Sequence, residues 1–458
     1  MRRRLLVLVV ALPILFMLGM PSAQAGHDSD PHTRNLHPLG HTNDNRPVSS
    51  FTEPFFTDVA FWDDLAVQGI WFGGFRLVDI SAPGNPKVLS EVDCGAFQGD
   101  VGVYGNLVFR SVDVPVTGQN AQDTCANDSL DVIAPEGGFE GIQIFQVDDP
   151  ASASAADLVT VVGTDCGSHT QTVVPDPANN RVLIYVSSSA PGPVYGETVF
   201  GNECTAEHGK FQIVEVPLDD PAAASVIRDV PLGPAVGQEV STDCHDIGVL
   251  WNGSRRLAAC AGEHAIVWDI TDPDDPVFLR DFTTPAVTSW HSAAFSWDGS
   301  VTVMGWEPGG GEEPECEASD PAVDKSIFFF DTATGELLGM WTLPRAQSVV
   351  ENCTIHNYSV VPTAKRDVLT TGNYQAGTWV VDFTDPARPR TVAWSDPPPL
   401  DPANFTLGGA WGSYWYRGLI FETNITEGLN IFRLSDRTMA GARRMPFLNP
   451  QTQLGPVH

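Results

Sequence analysis

Four histidines are the residues of this chain best suited to chemistry, although they lie far apart in the sequence. The intervals between them are 76, 46 and 65 residues. Each one directly precedes an apolar run that predicts a β-strand, so four structural units would carry an imidazole at the same place. Imidazoles that converge without acidic partners are typical ligands of zinc, copper or iron. The predicted metal ligands are His169, His245, His291 and His356.

Three further predicted strands open with Asp58, Asp100 and Trp411 at the corresponding position. Together with the histidines they make seven residues that we expect to face a ligand. Polar residues at the head of a buried strand also commonly hydrogen-bond to neighbouring units or to internal water. The sequence therefore leaves two roles open for the histidines: binding a single metal ion of unknown identity, or structural and ligand contacts.

Two glutamates, Glu263 and Glu307, end predicted strands beside these histidines. If the site is catalytic, either carboxylate could act as a general base on metal-bound water. The alternative is that both are solvated carboxylates in turns.

A short sequence repeat indicates which structural elements position these residues. It spans residues 76–81, 265–273 and 378–386, and looser copies span 142–150, 211–221, 327–335 and 429–436. Each copy is an apolar run of β-formers closed by Asp, Ser, Thr, Pro or Gly. This pattern predicts a buried strand followed by a tight turn, seven times over.

Two shorter strands are predicted before each copy and one after it, which gives four strands per unit. Seven such units with almost no helical periodicity predict an all-β fold, a seven-bladed β-propeller. The last unit, 410–434, has no convincing fourth strand, and residues 35–42 have the pattern of one. We expect this N-terminal strand to complete the last blade and close the ring. Since an array of β-sandwiches would need separate cores and linkers, we predict a single domain over residues 26–458.

The chain resembles the LVIVD-repeat family of secreted or cell-surface bacterial and archaeal propellers. The resemblance extends over nearly all of residues 26–458. It is carried by residues 77–80, 266–270, 380–383, 411–416 and 427–432. It implies a propeller with a surface or adhesive role and implies no particular reaction, because a fold hosts many functions.

Residues 1–25 have the pattern of a signal peptide. Three arginines precede an apolar stretch at 5–20, and Ala23-Gln24-Ala25 is a cleavage signal. We therefore expect a secreted, extracellular protein that could remain associated with the cell surface. No second apolar segment is long enough to span a bilayer, so no membrane insertion is predicted. The formal net charge of −32 argues against nucleic acid as a partner, and we expect a monomer.

Eight cysteines in an exported chain predict four disulfides. In the predicted propeller all eight fall on one face, and we pair neighbours within reach. The bonds would hold three loop insertions, at about 112–139, 187–210 and 307–325, over one mouth of the channel, where binding residues usually lie. The predicted pairs are Cys94–Cys125, Cys166–Cys204, Cys244–Cys260 and Cys316–Cys353.

These observations predict an exported propeller that acts as an extracellular recognition or ligand-binding module for a protein, a glycan or a small molecule. The alternative is a metal-dependent enzyme that uses the four histidines as ligands and Glu263 or Glu307 as an assisting base. An open mouth would favour the enzyme, whereas a channel filled by side chains would favour the binding module.

Overall fold

The computed structural model describes residues 29–46, 48, 53–94, 98–113, 140–150, 156–188, 209–233, 243–253 and 255–455. Within these ranges the regular structure consists of β-strands and short 3-10 turns. The predicted signal peptide, most of the insertions 112–139 and 187–210, Cys125 and Cys204 lie outside the described residues. In the part of the chain that is described, no helix is long and apolar enough to cross a membrane.

The first strand, β1 (Leu36–His41), precedes a series of groups of up to four consecutive antiparallel strands. The first two groups are β2 (Phe55–Trp62), β3 (Leu65–Trp71), β4 (Gly74–Asp79) and β5 (Lys87–Asp93), then β6 (Gln98–Tyr104), β7 (Leu107–Val112), β8 (Gly141–Val147) and β9 (Ala156–Gly163). The next two are β10 (Thr170–Asp176), β11 (Arg181–Ser187), β12 (Lys210–Pro217) and β13 (Ser225–Pro231), then β14 (Asp246–Asn252), β15 (Arg255–Ala261), β16 (Ala265–Asp269) and β17 (Val277–Phe282). There follow β18 (Ser292–Phe295), β19 (Val301–Gly305), β20 (Ser326–Asp331) and β21 (Leu337–Thr342), then β22 (Asn357–Val360), β23 (Val368–Gly372), β24 (Thr378–Asp382) and β25 (Arg390–Ser395), and finally β26 (Ala410–Tyr416), β27 (Leu419–Asn424) and β28 (Gly428–Leu434).

The first strand of each group lies innermost, where neighbouring groups meet. On β10, the Thr172 hydroxyl donates to the Ile247 carbonyl on β14 at 2.6 Å. On the other side of the ring, β22 pairs in parallel with β26. The fourth strands are the more exposed ones, as the alternating exposure of β5 shows. The strand that follows each copy of the sequence repeat therefore forms the outer edge of its group, as in a four-stranded propeller blade.

Apolar cores lie between consecutive groups and link them into a closed ring. Phe75 of the first group packs edge-on against Phe145 of the second, with ring centroids 5.1 Å apart. Phe421 of the last group packs against Phe61 of the first at 4.8 Å. Because the last group contacts the first, the innermost strands surround a central channel. The architecture is that of a β-propeller.

The N-terminal strand completes the last group, and this prediction is confirmed. Strand β1 pairs antiparallel with β28, from Leu36 opposite Leu434 to His41 opposite Asn430. The Leu36 side chain is fully buried in the core around Trp415 and Phe432. Pairing β28 with a strand from the other end of the chain covers an edge that would otherwise be open.

The C-terminal segment crosses the channel at the far end of the innermost strands, a role that the repeat pattern does not predict. Strand β29 (Phe447–Leu448) pairs with the end of β2, and β30 (Thr452–Leu454) pairs in parallel with the end of β14. Between them, Asn449 bonds to both backbone groups of Val103 on β6. This segment covers one end of the channel and leaves the other end available for a site.

Two of the predicted disulfides are present, with Cα–Cα distances of 5.5 Å each: Cys244–Cys260 and Cys316–Cys353. Cys94 and Cys166 are also disulfide-bonded, and their predicted partners lie outside the described residues. Disulfides persist in oxidising compartments, so the pairs indicate an oxidising, extracellular environment.

Candidate functional site

A cavity of about 500 Å³ lies at the N-terminal ends of the innermost strands. Its rim includes the 3-10 turn Pro308–Gly311, which belongs to the predicted insertion 307–325. All seven residues that the sequence predicts to face a ligand contribute to its wall, and their binding roles stay predictions. They are Asp58, Asp100, His169, His245, His291, His356 and Trp411.

The four histidines lie at the same height along the channel, because each continues the hydrogen-bonded pairing between the first and second strands of its group by one residue. Each backbone N–H donates to a carbonyl at the end of the second strand of that group, which places the four Cα atoms in register. The bonds are His169 to Ser187 at 2.8 Å, His245 to Ala261 at 2.6 Å, His291 to Gly305 at 2.9 Å and His356 to Gly372 at 3.2 Å.

The imidazoles form a continuous arc around one side of the channel. Successive ring centroids are 4.3 Å apart from His169 to His245, 4.1 Å from His245 to His291 and 4.6 Å from His291 to His356. Trp411 continues the arc, since its ring lies 4.5 Å from that of His356. Residues separated by 46 to 76 positions in the sequence are thus neighbours, as the propeller topology predicts.

Hydrogen bonds to Nδ1 orient three of the four rings. The Nδ1 of His169 lies 2.8 Å from Asp113, and that of His245 lies 3.1 Å from Asp246. The Nδ1 of His356 bonds to the backbone carbonyl of Trp411. A hydrogen bond at Nδ1 fixes the ring and leaves Nε2 as the ligating atom, which is the arrangement common at metal-bound histidines.

Glu307 lies against this arc. Its carboxylate oxygens are 3.3 Å from His291 Nε2 and 3.6 Å from His356 Nε2. The Tyr374 hydroxyl donates a hydrogen bond to the same carboxylate. Gly311 has φ +71°, and a Cβ there would collide with the Tyr374 hydroxyl, so this turn closes over the site only with glycine at that position.

Burial determines the protonation of this cluster. It raises the pKa of Glu307 to about 8, although the Tyr374 hydrogen bond opposes the shift. It lowers the pKa of His356 to about 4, and it lowers the pKa of His291 well below the usual value, helped by the neighbouring imidazoles. Near neutral pH these two histidines are uncharged and can offer a lone pair, while Glu307 retains a proton that a cation would displace.

A transition metal fits this donor set. One ligand atom each from His245, His291 and Glu307 lie within 4.8 Å of one another. Two imidazoles and one carboxylate suit zinc or non-haem iron(II). His291 Nδ1 is buried and, among the described residues, has no hydrogen-bond partner. The set therefore differs from the predicted four histidines, because it includes Glu307 and lacks His169 and His356.

His169 is placed differently from the other three histidines. Its Nδ1 bonds to Asp113, and its Nε2 lies 3.1 Å from the Gln98 side-chain nitrogen. Burial lowers the pKa of His169, but the charge and hydrogen bond of Asp113 outweigh it, so the pKa is raised. Since both ring nitrogens have protein partners, His169 is a wall residue of the cavity in this geometry.

The three predicted positions that are not histidine lie in bulges rather than at the heads of their strands. Pairing register shifts between Phe56 and Val59, between Gln98 and Val101, and between Ala410 and Gly412. Asp58, Asp100 and Trp411 fall within these shifts. A bulge redirects a side chain. The parallel pairing of Asn357 with Gly412 keeps Trp411 in register with His356, whereas Asp58 and Asp100 lie inside their strands.

Buried carboxylates continue the channel below the histidines. Asp58 accepts from Asn357 Nδ2 at 3.0 Å and from the Tyr414 hydroxyl. Asp246, which the sequence analysis missed, contacts His245 and accepts from Gln451 of the C-terminal segment at 3.2 Å. Burial raises the pKa of Asp58 to about 7 and that of Asp100 well above its usual value.

Glu263 is not brought to the site. Its side chain is exposed, its backbone N–H is bonded to Asp243 at 3.1 Å, and it does not line the cavity. Tyr374 and Gln98, which were not predicted from the sequence, contact Glu307 and His169 respectively. Tyr374 lies two residues after the end of β23, and Glu307 lies two residues after the end of β19. This equivalent position is the sequence signal that points to Tyr374.

Comparisons with known proteins add little beyond the fold class. No family model and no curated protein matches the chain. Solved structures that resemble it include the WD40 β-propeller domain of Doa1, with 12% identity over 90% of this chain and 99% of that one at a TM-score of 0.47. The Dos1 propeller has 10% identity over 85% and 80%, with a TM-score of 0.48. Because these scores lie below 0.5, the assignment to the β-propellers rests on the strand pairing above.

Proposed function

We propose that this chain is an exported, seven-bladed β-propeller of the LVIVD type that binds a small ligand at a metal ion in its channel mouth. The strand groups, completed by β1, support seven blades, and the disulfides and the N-terminal sequence support export. The sequence left a protein, a glycan or a small molecule as the extracellular partner. A small molecule fits best, because a cavity of about 500 Å³ has the size of a small-molecule pocket.

The observation that carries the metal site is the proximity of His245, His291 and Glu307, whose donor atoms lie within 4.8 Å of one another. Asp246 holds the His245 ring by Nδ1, and Tyr374 holds the Glu307 carboxylate. Preformed ligands with oriented outer partners favour binding of a metal over a simple packing role. The cavity in front of them leaves room for a further ligand on the metal.

A metal-dependent hydrolytic enzyme is the second candidate. Three protein ligands leave a coordination position for water, and a metal ion lowers the pKa of such a water towards neutrality. His356 lies beside Glu307 and is uncharged near neutral pH, so it could accept a proton there. In this geometry Glu307 is a ligand and His356 is the candidate base.

The test is the metal content of the mature protein after dialysis, measured by plasma mass spectrometry. We expect close to one equivalent of zinc or iron in the wild type and less than a tenth of that in His245→Ala, His291→Ala and Glu307→Gln. The matched control is His264→Ala, because His264 is part-buried and contacts Asp281 outside the cavity. It should retain the metal. Metal-free wild type in folded form, or equal loss in the control, would contradict the proposed centre.

A further inference from the structure

The cavity wall is rich in acidic side chains. Among the described residues that line it, none is lysine or arginine, while five carry carboxyl groups. The whole chain is acidic as well, with a formal net charge of −32. A cleft lined by one sign of charge concentrates ligands of the opposite sign. The five acidic residues are Asp58, Asp100, Asp246, Glu307 and Glu312.

Several oxygen atoms on this wall are buried without a donor. Asp100 is only 3% exposed, and its Oδ1 has no hydrogen-bond partner among the described residues. The same holds for the side-chain carbonyl oxygens of Gln98 and Asn357, which are 4% and 5% exposed. All three residues line the cavity. Buried acceptors without donors are costly, so they point to a ligand that brings N–H groups.

Aromatic side chains form another part of the wall. Trp71 and Trp411 have ring centroids 6.3 Å apart, and Tyr374 lies 6.2 Å from Trp411, nearly perpendicular to it. Trp290 and Trp306 line the same cavity. Aromatic faces attract organic cations and also bury apolar groups, so they suit a ligand that combines both.

The C-terminal segment crosses the far end of the channel. The C-terminal segment bonds to the ends of β6, β14 and β18, and its Gln451 touches Asp246. Among the described residues, Asp58, Asp100 and Asp246 therefore lie on the side of the cavity that this segment covers. A bound cation favours the ionised form of such buried carboxyl groups, and their charges are poorly screened there, which strengthens the attraction.

We propose that the ligand of this cavity is an organic cation of the amine class, with its ammonium group among the axial oxygens of Asp58, Asp100 and Asn357. Its apolar part contacts the tryptophans at the mouth. This inference rests on the cavity being the ligand site of the proposed function, but it does not require the metal. The structure thus selects against anionic substrates.

The test uses three small probes of matched shape: 2-phenylethylammonium, 2-phenylethanol and phenylacetate. Their binding to the full mature protein is measured by calorimetry, before and after metal removal with a chelator. We expect the ammonium probe to bind at least about tenfold more tightly than the alcohol, and the carboxylate most weakly. Asp100→Asn should abolish that preference while keeping its metal content.

The matched control is Asp157→Asn, which removes one charge from an exposed position on β9 and should leave the preference unchanged. Asp58→Asn is a second variant in case Asp100→Asn does not fold, as judged by circular dichroism. Equal binding of the three probes, or displacement of the ammonium probe by millimolar calcium, would overturn the inference, the latter indicating an inorganic cation site. If the protein as isolated contains no metal but still prefers the ammonium probe, only the metal centre is refuted.

Discussion

Asp58 illustrates how strongly the channel acts on a single side chain. It lies in a bulge of β2, is 2% exposed, and receives hydrogen bonds from the neutral groups of Tyr414 and Asn357. Burial raises its pKa to about 7, and the negative charge of Asp246 adds to the shift. An acid whose pKa is raised on folding binds its proton more tightly in the native state than in the unfolded chain.

The pH dependence of stability follows from that shift. The contribution of Asp58 is fully present below its unfolded pKa of 3.8 and is lost as the pH rises towards about 7. Relative to Asp58→Asn, we therefore expect the free energy of unfolding of the wild type to fall between these values by about 1.4 kcal/mol per pH unit. Above pH 7 the difference should be constant.

Urea denaturation of both metal-free proteins between pH 4 and pH 8 measures this difference. Asp157→Asn, on the surface, should give a curve parallel to that of the wild type. Asp100 and Asp246, which interact with Asp58, are present in both proteins. A wild-type stability that rises from pH 4 to pH 7 relative to Asp58→Asn would refute the assigned shift.

At the scale of elements, the C-terminal segment acts as a partner strand for the ends of the innermost strands. Asn449 both donates to Val103 O at 2.9 Å and accepts from Val103 N at 2.6 Å. Gln453 makes the same pair of bonds with Phe295, at 2.9 Å each. Two amide side chains thus replace the backbone partners that strands facing the channel would otherwise lack.

Removing either amide should therefore destabilise the fold. In Asn449→Ala the buried N–H and C=O of Val103 lose their partners, and we expect a loss of about 2–4 kcal/mol in the free energy of unfolding. We expect a similar loss of unfolding free energy for Gln453→Ala, which leaves the backbone groups of Phe295 without these partners. The measurement is urea denaturation, with Arg444→Ala as an exposed control in the same segment. A change below 0.5 kcal/mol (roughly the effect of an ordinary surface substitution) in both amide variants would show that the segment does not support the channel.

For the whole molecule, stability depends on closing the ring. The last group ends at β28, and its outer strand comes from residues nearly 400 positions earlier in the chain. Each group packs its apolar faces against both neighbours, so opening the ring exposes two faces at once. The closing strand should therefore affect the stability of every group rather than that of its own alone.

Leu36→Asn tests this coupling, because Leu36 is fully buried where β1 meets β28. Burying an amide without partners, together with the lost apolar contacts, should cost about 3–5 kcal/mol. We expect one cooperative unfolding transition at a lower urea midpoint. Arg34→Ala, exposed just before the strand, is the control. Two separate transitions, or an unchanged midpoint, would indicate that the ring does not unfold as a unit.

The sequence by itself determined the features that repeat or that lie next to each other. The alternation of apolar β-formers and turn residues predicted the strands, as β16 (Ala265–Asp269) shows, which begins at the first residue of the copy predicted at 265–273. It also placed the four histidines at equivalent positions, because each directly precedes a strand whose pattern is recognisable. The pairing of β1 with β28 followed from a missing fourth strand in the last unit.

Only the tertiary structure decided which polar residues meet in the channel. The bulges that carry Asp58 and Asp100 shift the register by local backbone geometry, which the alternating pattern does not encode. Glu307 and Glu263 look alike in sequence, yet Glu307 is buried against Tyr374 while Glu263 is exposed. The C-terminal segment belongs to no repeat. Its place is set by buried hydrogen bonds to distant strands, and such contacts depend on where the closed ring brings those strands together.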